Sequence, residues 1–366
     1  MHALKRFGTA FGGYKMMENY PAPECGPDDI ILEIKAAAIC GADMKHWGVD
    51  NGYDDTNITP DQQQSVRGHE FAGEIVKVGE NVKDWHIGQR VVSDNSAHVC
   101  GVCPACEQGD FLCCEHKVNL GLDNNTWGGG FSKYCKVPGE ILAIHKHAIW
   151  EIPEGIKYEE ACVLDPICNA YKAVAQQSHL IPGQDVVVFG TGPLGLFSVQ
   201  VAKLMGAVNI VMVGLDDDVK VRFGVAKELG ATHCVNGSKE DVVARCTEIC
   251  GRDNLGLVIE CSGANIALKQ AIEMTRPNAE IVRVGMGFKP LEFSINDITA
   301  WNKSIIGHMA YDSTSWRNCI RLLQSGQIKV QPMITHRLGL SQWQEGFDKM
   351  AKKEAIKVIF HYDYED

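Results

Sequence analysis

The feature that most constrains this chain is a strand that runs straight into a glycine pattern and then into a helical period. Asp185–Phe189 (DVVVF) is a β-branched run, and Gly190-Thr191-Gly192-Pro193-Leu194-Gly195 fits G-x-G-x-x-G. Residues 194–205 then carry apolar side chains at helical spacing. The glycine pattern alone is weak, but between a strand and a helix it is specific for a turn that cradles a dinucleotide pyrophosphate. Gly190 permits the tight turn, Gly192 lets backbone approach a phosphate, and Gly195 lets helix and strand pack closely. Pro193 and Leu194 open the helix, whose first amides face the anion.

The same alternation continues downstream. A second strand at 210–213 precedes a helix at 219–229, and strand-like runs recur at 257–261 and 281–284. Strand alternating with helix predicts an α/β unit with a doubly wound parallel sheet. Residues 1 to about 155 have another texture: short apolar runs, among them 30–39 (IILEIKAAAI) and 71–78 (FAGEIVKV), broken by Gly, Pro and Asp. This reads as an antiparallel, turn-rich β region, with 48–66 as a polar surface loop. After about 300 one helix is expected at 316–324, and the following segments are expected to return to the first domain. The boundaries read as 1–158, 159–300 and 301–366.

Charge and cysteine content exclude several function classes. With 35 basic and 46 acidic residues, net −11, the chain lacks the basic face of a nucleic-acid protein. No apolar stretch reaches the roughly 18 residues of a membrane span, and no secretory signal is read at the start. The odd count of 15 cysteines predicts reduced thiols and metal ligands rather than a disulfide framework, and hence the cytoplasm.

Cys100, Cys103, Cys106 and Cys114 follow C-x2-C-x2-C-x7-C, within a lobe spanning about 98–116. Four thiolates on one loop can surround a zinc ion tetrahedrally and leave no position for water, so the predicted role is structural. Cys113 is an alternative fourth ligand. At the second strand of the dinucleotide unit, the acid expected to hold a ribose is replaced by Gly214. Asp216, Asp217 and Asp218 follow, then Lys220 and Arg222. Asp216 can curl back to the ribose of NAD, or Arg222 can hold the 2′-phosphate of NADP.

Three further segments carry a resemblance: Cys40-Gly41-Ala42-Asp43, Gly68-His69-Glu70, and Leu164-Asp165-Pro166. With the four-cysteine lobe, the run at 128–131 and the nucleotide fingerprint, they stand in the order found in the zinc-dependent medium-chain dehydrogenase/reductase family. The chain resembles that family over nearly its whole length, and its sorbitol (polyol) and threonine dehydrogenase branch in particular. The resemblance implies a GroES-like catalytic domain completed by the C-terminal tail, with a Rossmann coenzyme domain between. It implies a catalytic zinc held by Cys40, His69 and Asp165, with Glu70 beside the metal, and a structural zinc in the cysteine lobe. It also implies hydride transfer between NAD or NADP and a polyol or sugar-derived secondary alcohol, in a cleft that closes against water, within a homodimer or homotetramer. No nucleic acid or membrane is expected as partner.

This chain departs from the family pattern in two ways. The family commonly has Ser or Thr two residues after the ligand cysteine, where the hydroxyl starts a proton relay; here stands Ala42. The family's frequent His five residues on is Lys45. The proton is then expected to leave through water on the ion, through a neighbouring substrate hydroxyl, or through Lys45 with a lowered pKa. Trp47, Tyr53 and Asn169 are candidate pocket residues. A threonine- or diol-type alcohol, or a sugar acid or phosphate facing Lys45, are alternative substrates. The missing hydroxyl also leaves open a zinc- and nucleotide-binding protein without turnover.

Overall fold

The computed structural model describes residues 1–6, 13–44, 47, 65–123, 126–287 and 289–365. Two units emerge: 1–165 with 312–314 and 334–366, and 166–311 with 315–333.

In the first unit, β1 (Ala3–Arg6) and β2 (Tyr14–Met17) form a small antiparallel pair. Then follow β3 (Ile30–Ala38), β4 (Glu70–Val78), β5 (Arg90–Ser93), β6 (Ser96–His98), β7 (Val118–Asn119), β8 (Tyr134–Val137) and β9 (Ile149–Glu151). The second unit carries β10 (Asp185–Phe189), β11 (Ile210–Gly214), β12 (His233–Asn236), β13 (Leu255–Glu260), β14 (Glu280–Arg283) and β15 (Ser304–Gly307). The chain then gives β16 (Ile334–Gly339) and β17 (Lys357–His361) back to the first unit.

The main sheet of the first unit runs β16-β17-β3-β4-β5-β9, with β8 also on β3. It is antiparallel as expected, except that β16 and β17 run parallel. Its core gathers Leu4, Ile30, Leu32, Phe71, Phe131, Phe347 and Phe360. Two strand pairings of this sheet matter for the site. The register Ala38↔Glu70 aligns the end of β3 with the start of β4, and Ile359↔Ala38 lays β17 along the same end. The expected loop at 48–66 lies outside the described residues up to residue 64.

The second unit is the expected doubly wound sheet. Its order is β12-β11-β10-β13-β14-β15, every pair parallel. β10, β11 and β13 are buried along their whole length, as strands covered on both faces must be. The chain order reverses between β10 and β13, and a crevice opens at such a switch point beyond the carboxyl ends of the strands. Two differences from expectation have local causes. Asp216–Asp218 forms a 3-10 turn, so the next helix starts only at Arg222. Apart from 312–314, the chain rejoins the first unit at residue 334 rather than 301, because β15 pairs with β14 and the helix Ser313–Gln324 falls largely within the second unit. β15 escaped the sequence reading because it is a largely exposed edge strand without an apolar stripe.

Candidate active site and metal centres

Cys40 follows β3, and His69 immediately precedes β4. Because those two strands pair end to start, residues far apart in sequence meet at one corner of the sheet. One ligand atom each of Cys40, His69 and Glu70 lies within 4.8 Å of the others. The three are chemically suited to zinc: a thiolate, an imidazole and a carboxylate. His69 Nδ1 and Glu70 Oε1 are buried with no hydrogen-bond partner among the described residues. Burial pushes the Cys40 thiol up and the Glu70 carboxyl well above the usual range, while the Lys357 ammonium opposes both shifts. A divalent cation would satisfy the orphaned Glu70 Oε1 and favour the ionised forms of Cys40 and Glu70, so the donor set fits the implied metal.

Two groups behind the trio escaped the sequence reading as functional residues. Asp43, fully buried in the short helix Gly41–Met44, accepts the Cys40 backbone N–H at 3.0 Å on Oδ2. Its Oδ1 stands 4.0 Å from His69 Nδ1 and 3.8 Å from Arg67 Nε. Its signal in the sequence was its place three residues after Cys40, the spacing of a turn cap. Lys357, buried at the start of β17, pairs with Glu70 Oε2 and donates to the Ile39 carbonyl at 3.1 Å. No local signal in the sequence links it to residues 39 and 70.

Asp165 does not join the group of three. It opens the helix Leu164–Tyr171, and its Oδ2 accepts from Asn95 Nδ2 at 3.0 Å. It is near enough for its charge to raise both Cys40 and Glu70. Lys45 and Tyr53 lie outside the described residues. Trp47 packs edge-on against Tyr14, Trp343 and Phe347, and its indole donates to Asp348. Asn169, in the second unit, faces His308 Nε2 at 3.3 Å, and Gln177 takes the other ring nitrogen at 2.6 Å.

Cys100, Cys103, Cys106 and Cys114 also converge, with all four sulfurs mutually within 4.8 Å. Cys100 Sγ is 3.6 Å from Cys114 Sγ and 4.0 Å from Cys106 Sγ. A disulfide needs about 2.05 Å, whereas sulfurs at the corners of a zinc tetrahedron stand about 3.8 Å apart. The Cys106 amide draws the Cys103 thiol down to about 6, while burial holds Cys106 up at about 12. Four thiols this close favour a cation that lets all of them ionise. Cys113 is exposed and stands outside the cluster.

In the second unit the loop after β10 has the shape its sequence predicts. Gly190 has φ +93°, and a Cβ there would meet Ser262 N at 2.9 Å. A Cβ on Gly195 would strike the Gly190 carbonyl at 1.8 Å, whereas Gly192 faces open space. Pro193 and Leu194 begin the helix Pro193–Leu204 directly after Gly192. The open approach at Gly192 and the amides of that helix fit a dinucleotide pyrophosphate. Asp216 is half-exposed and bound by Lys239 Nζ at 2.8 Å and Asn236 Nδ2 at 2.7 Å. Arg222 is mostly buried, with Nη1 at 3.5 Å from Asp218.

Comparison with known proteins agrees with this geometry. Residues 26–147 match the alcohol dehydrogenase GroES-like domain, and residues 193–325 match the zinc-binding dehydrogenase family. The chain is 77% identical over 366 residues to the uncharacterized zinc-type alcohol dehydrogenase-like protein YdjL of Escherichia coli (strain K12), covering 100% of both. It is 30% identical over 360 residues to a sorbitol dehydrogenase of Halalkalibacterium halodurans, covering 98% of each. The crystal structure of 2R,3R-butanediol dehydrogenase from Bacillus subtilis superposes with a TM-score of 0.83 at 29% identity, covering 99% of both chains. With its GroES-like unit, its Rossmann sheet and these relatives, the chain belongs to the zinc-dependent medium-chain dehydrogenase/reductase family and is an alcohol oxidoreductase of that type.

Proposed function

We propose that the protein oxidises a polyol or sugar-derived secondary alcohol with a nicotinamide dinucleotide, or reduces the corresponding ketone. The observation that carries this reading is the convergence of Cys40, His69 and Glu70 at the β3–β4 corner. The substrate class is supported by the similarity to proteins named sorbitol dehydrogenase and butanediol dehydrogenase.

In this reading Cys40 and His69 hold a catalytic zinc ion, with Glu70 and Asp165 as the carboxylates at hand. The four-cysteine lobe holds a structural one. The Gly190–Gly195 loop carries the pyrophosphate of NAD or NADP. When bound, the catalytic zinc supplies a Lewis acid that lowers the pKa of an alcohol hydroxyl, and the nicotinamide supplies the hydride acceptor. The chain's own part is positioning and electrostatics. Asp43 fixes the turn that carries Cys40 and lies against the His69 ring. Lys357 holds Glu70 Oε2, and Glu70 Oε1 has no hydrogen-bond partner among the described residues. With Ala42 in place of a hydroxyl residue, the alcohol proton passes to water, to a second substrate hydroxyl, or to Lys45 Nζ. The assignment of the first unit to catalysis and of the second to the cofactor, the cytoplasmic location and a homo-oligomeric state belong to the same reading.

The test is an initial-rate screen of stereoisomeric polyols, diols, threonine and sugar phosphates with NAD and NADP. Turnover with a polyol supports the reading. Turnover confined to threonine or a simple diol replaces the substrate class. Two zinc ions per chain with no turnover on any alcohol points to a binding protein.

A further inference from the structure

The parallel sheet raises a question about cofactor choice, and the answer rests on the dehydrogenase reading above. A dinucleotide unit normally ends its second strand in an acid that accepts the adenosine ribose hydroxyls and repels a 2′-phosphate. Here β11 ends in Gly214, and the space for a side chain is already filled. A Cβ on Gly214 would lie 2.6 Å from Thr191 Cγ2, 2.7 Å from Phe223 Cε1 and 3.0 Å from Asp218 Oδ2. The neighbour closing that space on the polar side is therefore a carboxylate.

Asp218 reaches the position through the 3-10 turn Asp216–Asp218, which folds the chain back on the strand end. Its Oδ2 accepts the Leu215 backbone N–H at 2.8 Å, which fixes the orientation of the carboxylate. Thr191, which crowds the same point, lies between Gly190 and Gly192, so the carboxylate stands beside the phosphate loop. The other two candidates are committed elsewhere. Asp216 turns to Lys239 and Asn236 at the end of β12. Arg222 turns its guanidinium to Asp218 Oδ1 from a largely buried position. Leu215 is 51% exposed and Val219 is 44% exposed; the two apolar side chains flank the turn and offer faces for an adenine.

We infer that Asp218 replaces the missing strand-end acid and makes this protein select NAD over NADP. Its carboxylate accepts from the ribose hydroxyls of NAD, and a 2′-phosphate in the same place would meet a buried negative charge. Arg222 orients that carboxylate and does not serve as a phosphate clamp.

The test is equilibrium binding of NADH and NADPH to the zinc-loaded protein, followed by nicotinamide fluorescence or calorimetry. One charged hydrogen bond is worth roughly a 10- to 100-fold preference, so the wild type is expected to bind NADH at least about tenfold more tightly than NADPH. Asp218→Ser keeps an acceptor for Leu215 N–H and removes the charge. It should shrink the ratio to within about threefold, chiefly through weaker NADH binding. Asp218→Glu keeps the charge and should retain the preference if the serine variant does not fold. Asp216→Asn should leave the ratio unchanged. Equal affinities in the wild type, or a ratio that moves with Asp216→Asn and not with Asp218, would overturn the inference and leave the dehydrogenase reading standing. Binding of neither cofactor would count against the dehydrogenase reading itself.

Discussion

The ammonium of Lys357 joins the Glu70 carboxylate to the carbonyl of Ile39, so the residue before Cys40 and the residue after His69 share one buried cation. The contact exists because β17 lies along the end of β3, where Ile39 N also donates to Val358 O at 3.1 Å. A strand from the last part of the chain thus braces a site built by its first part.

Removing that cation should be costly. Lys357→Met leaves a buried carboxylate uncompensated and is expected to destabilise the protein by about 3–5 kcal/mol. Lys357→Arg should recover most of the loss, and Glu70→Gln combined with Lys357→Met should be milder than Lys357→Met alone. Denaturant midpoints measure this; a Lys357→Met midpoint equal to the wild type would show that the pair is inert.

Asp43 is expected to act through the ligands it touches. Asp43→Asn keeps an acceptor for the Cys40 N–H but removes the charge facing His69. It should lower affinity for the catalytic zinc roughly 10- to 100-fold. Competition with a chromophoric chelator reads this directly, and the zinc of the cysteine lobe serves as an internal control. Unchanged chelator competition would reduce Asp43 to a turn cap.

The cysteine lobe should be separable from catalysis. Cys106→Ser is expected to lose the structural zinc and lower the thermal midpoint, because a structural ion contributes folding free energy. NADH binding by the parallel-sheet unit should persist. A variant with full zinc content and an unchanged midpoint would mean the lobe is held by its apolar contacts instead.

Acid should weaken the parallel-sheet unit through His308. Burial, helped by the nearby Lys172 ammonium, brings this histidine from 6.5 down to about 4. The folded state therefore resists a proton that the unfolded chain accepts. The stabilisation is complete above pH 6.5 and is lost as pH falls from there toward about 4, by up to on the order of 3 kcal/mol. His308→Gln should flatten the stability–pH curve in that window; an unaltered slope would assign the acid sensitivity to other groups.

The legible parts of this molecule are those whose partners lie close in sequence. The four cysteines of one loop and the strand-turn-helix around Gly190 could be read directly, because each is a local geometric requirement. The trio of Cys40, His69 and Glu70 was reachable only through the order of its motifs. Lys357 was not, since its role depends on the Ile359↔Ala38 pairing of strands some 320 residues apart. Asp218 was read only as one of three acids, because the turn that points it at Gly214 leaves no periodic trace. Ser304–Gly307 went unread as a strand because an exposed sheet edge has no need of the apolar stripe that marks the buried strands.

In the proposed reaction, hydride transfer depends on an ion held by Cys40 and its two neighbours. Zinc per chain, polyol turnover and NADH affinity, measured side by side in the wild type and in Cys40→Ser, test it most directly. Two zinc ions should fall to one, turnover should be lost, and NADH affinity should stay unchanged. A Cys40→Ser protein that keeps both ions and its turnover would contradict it.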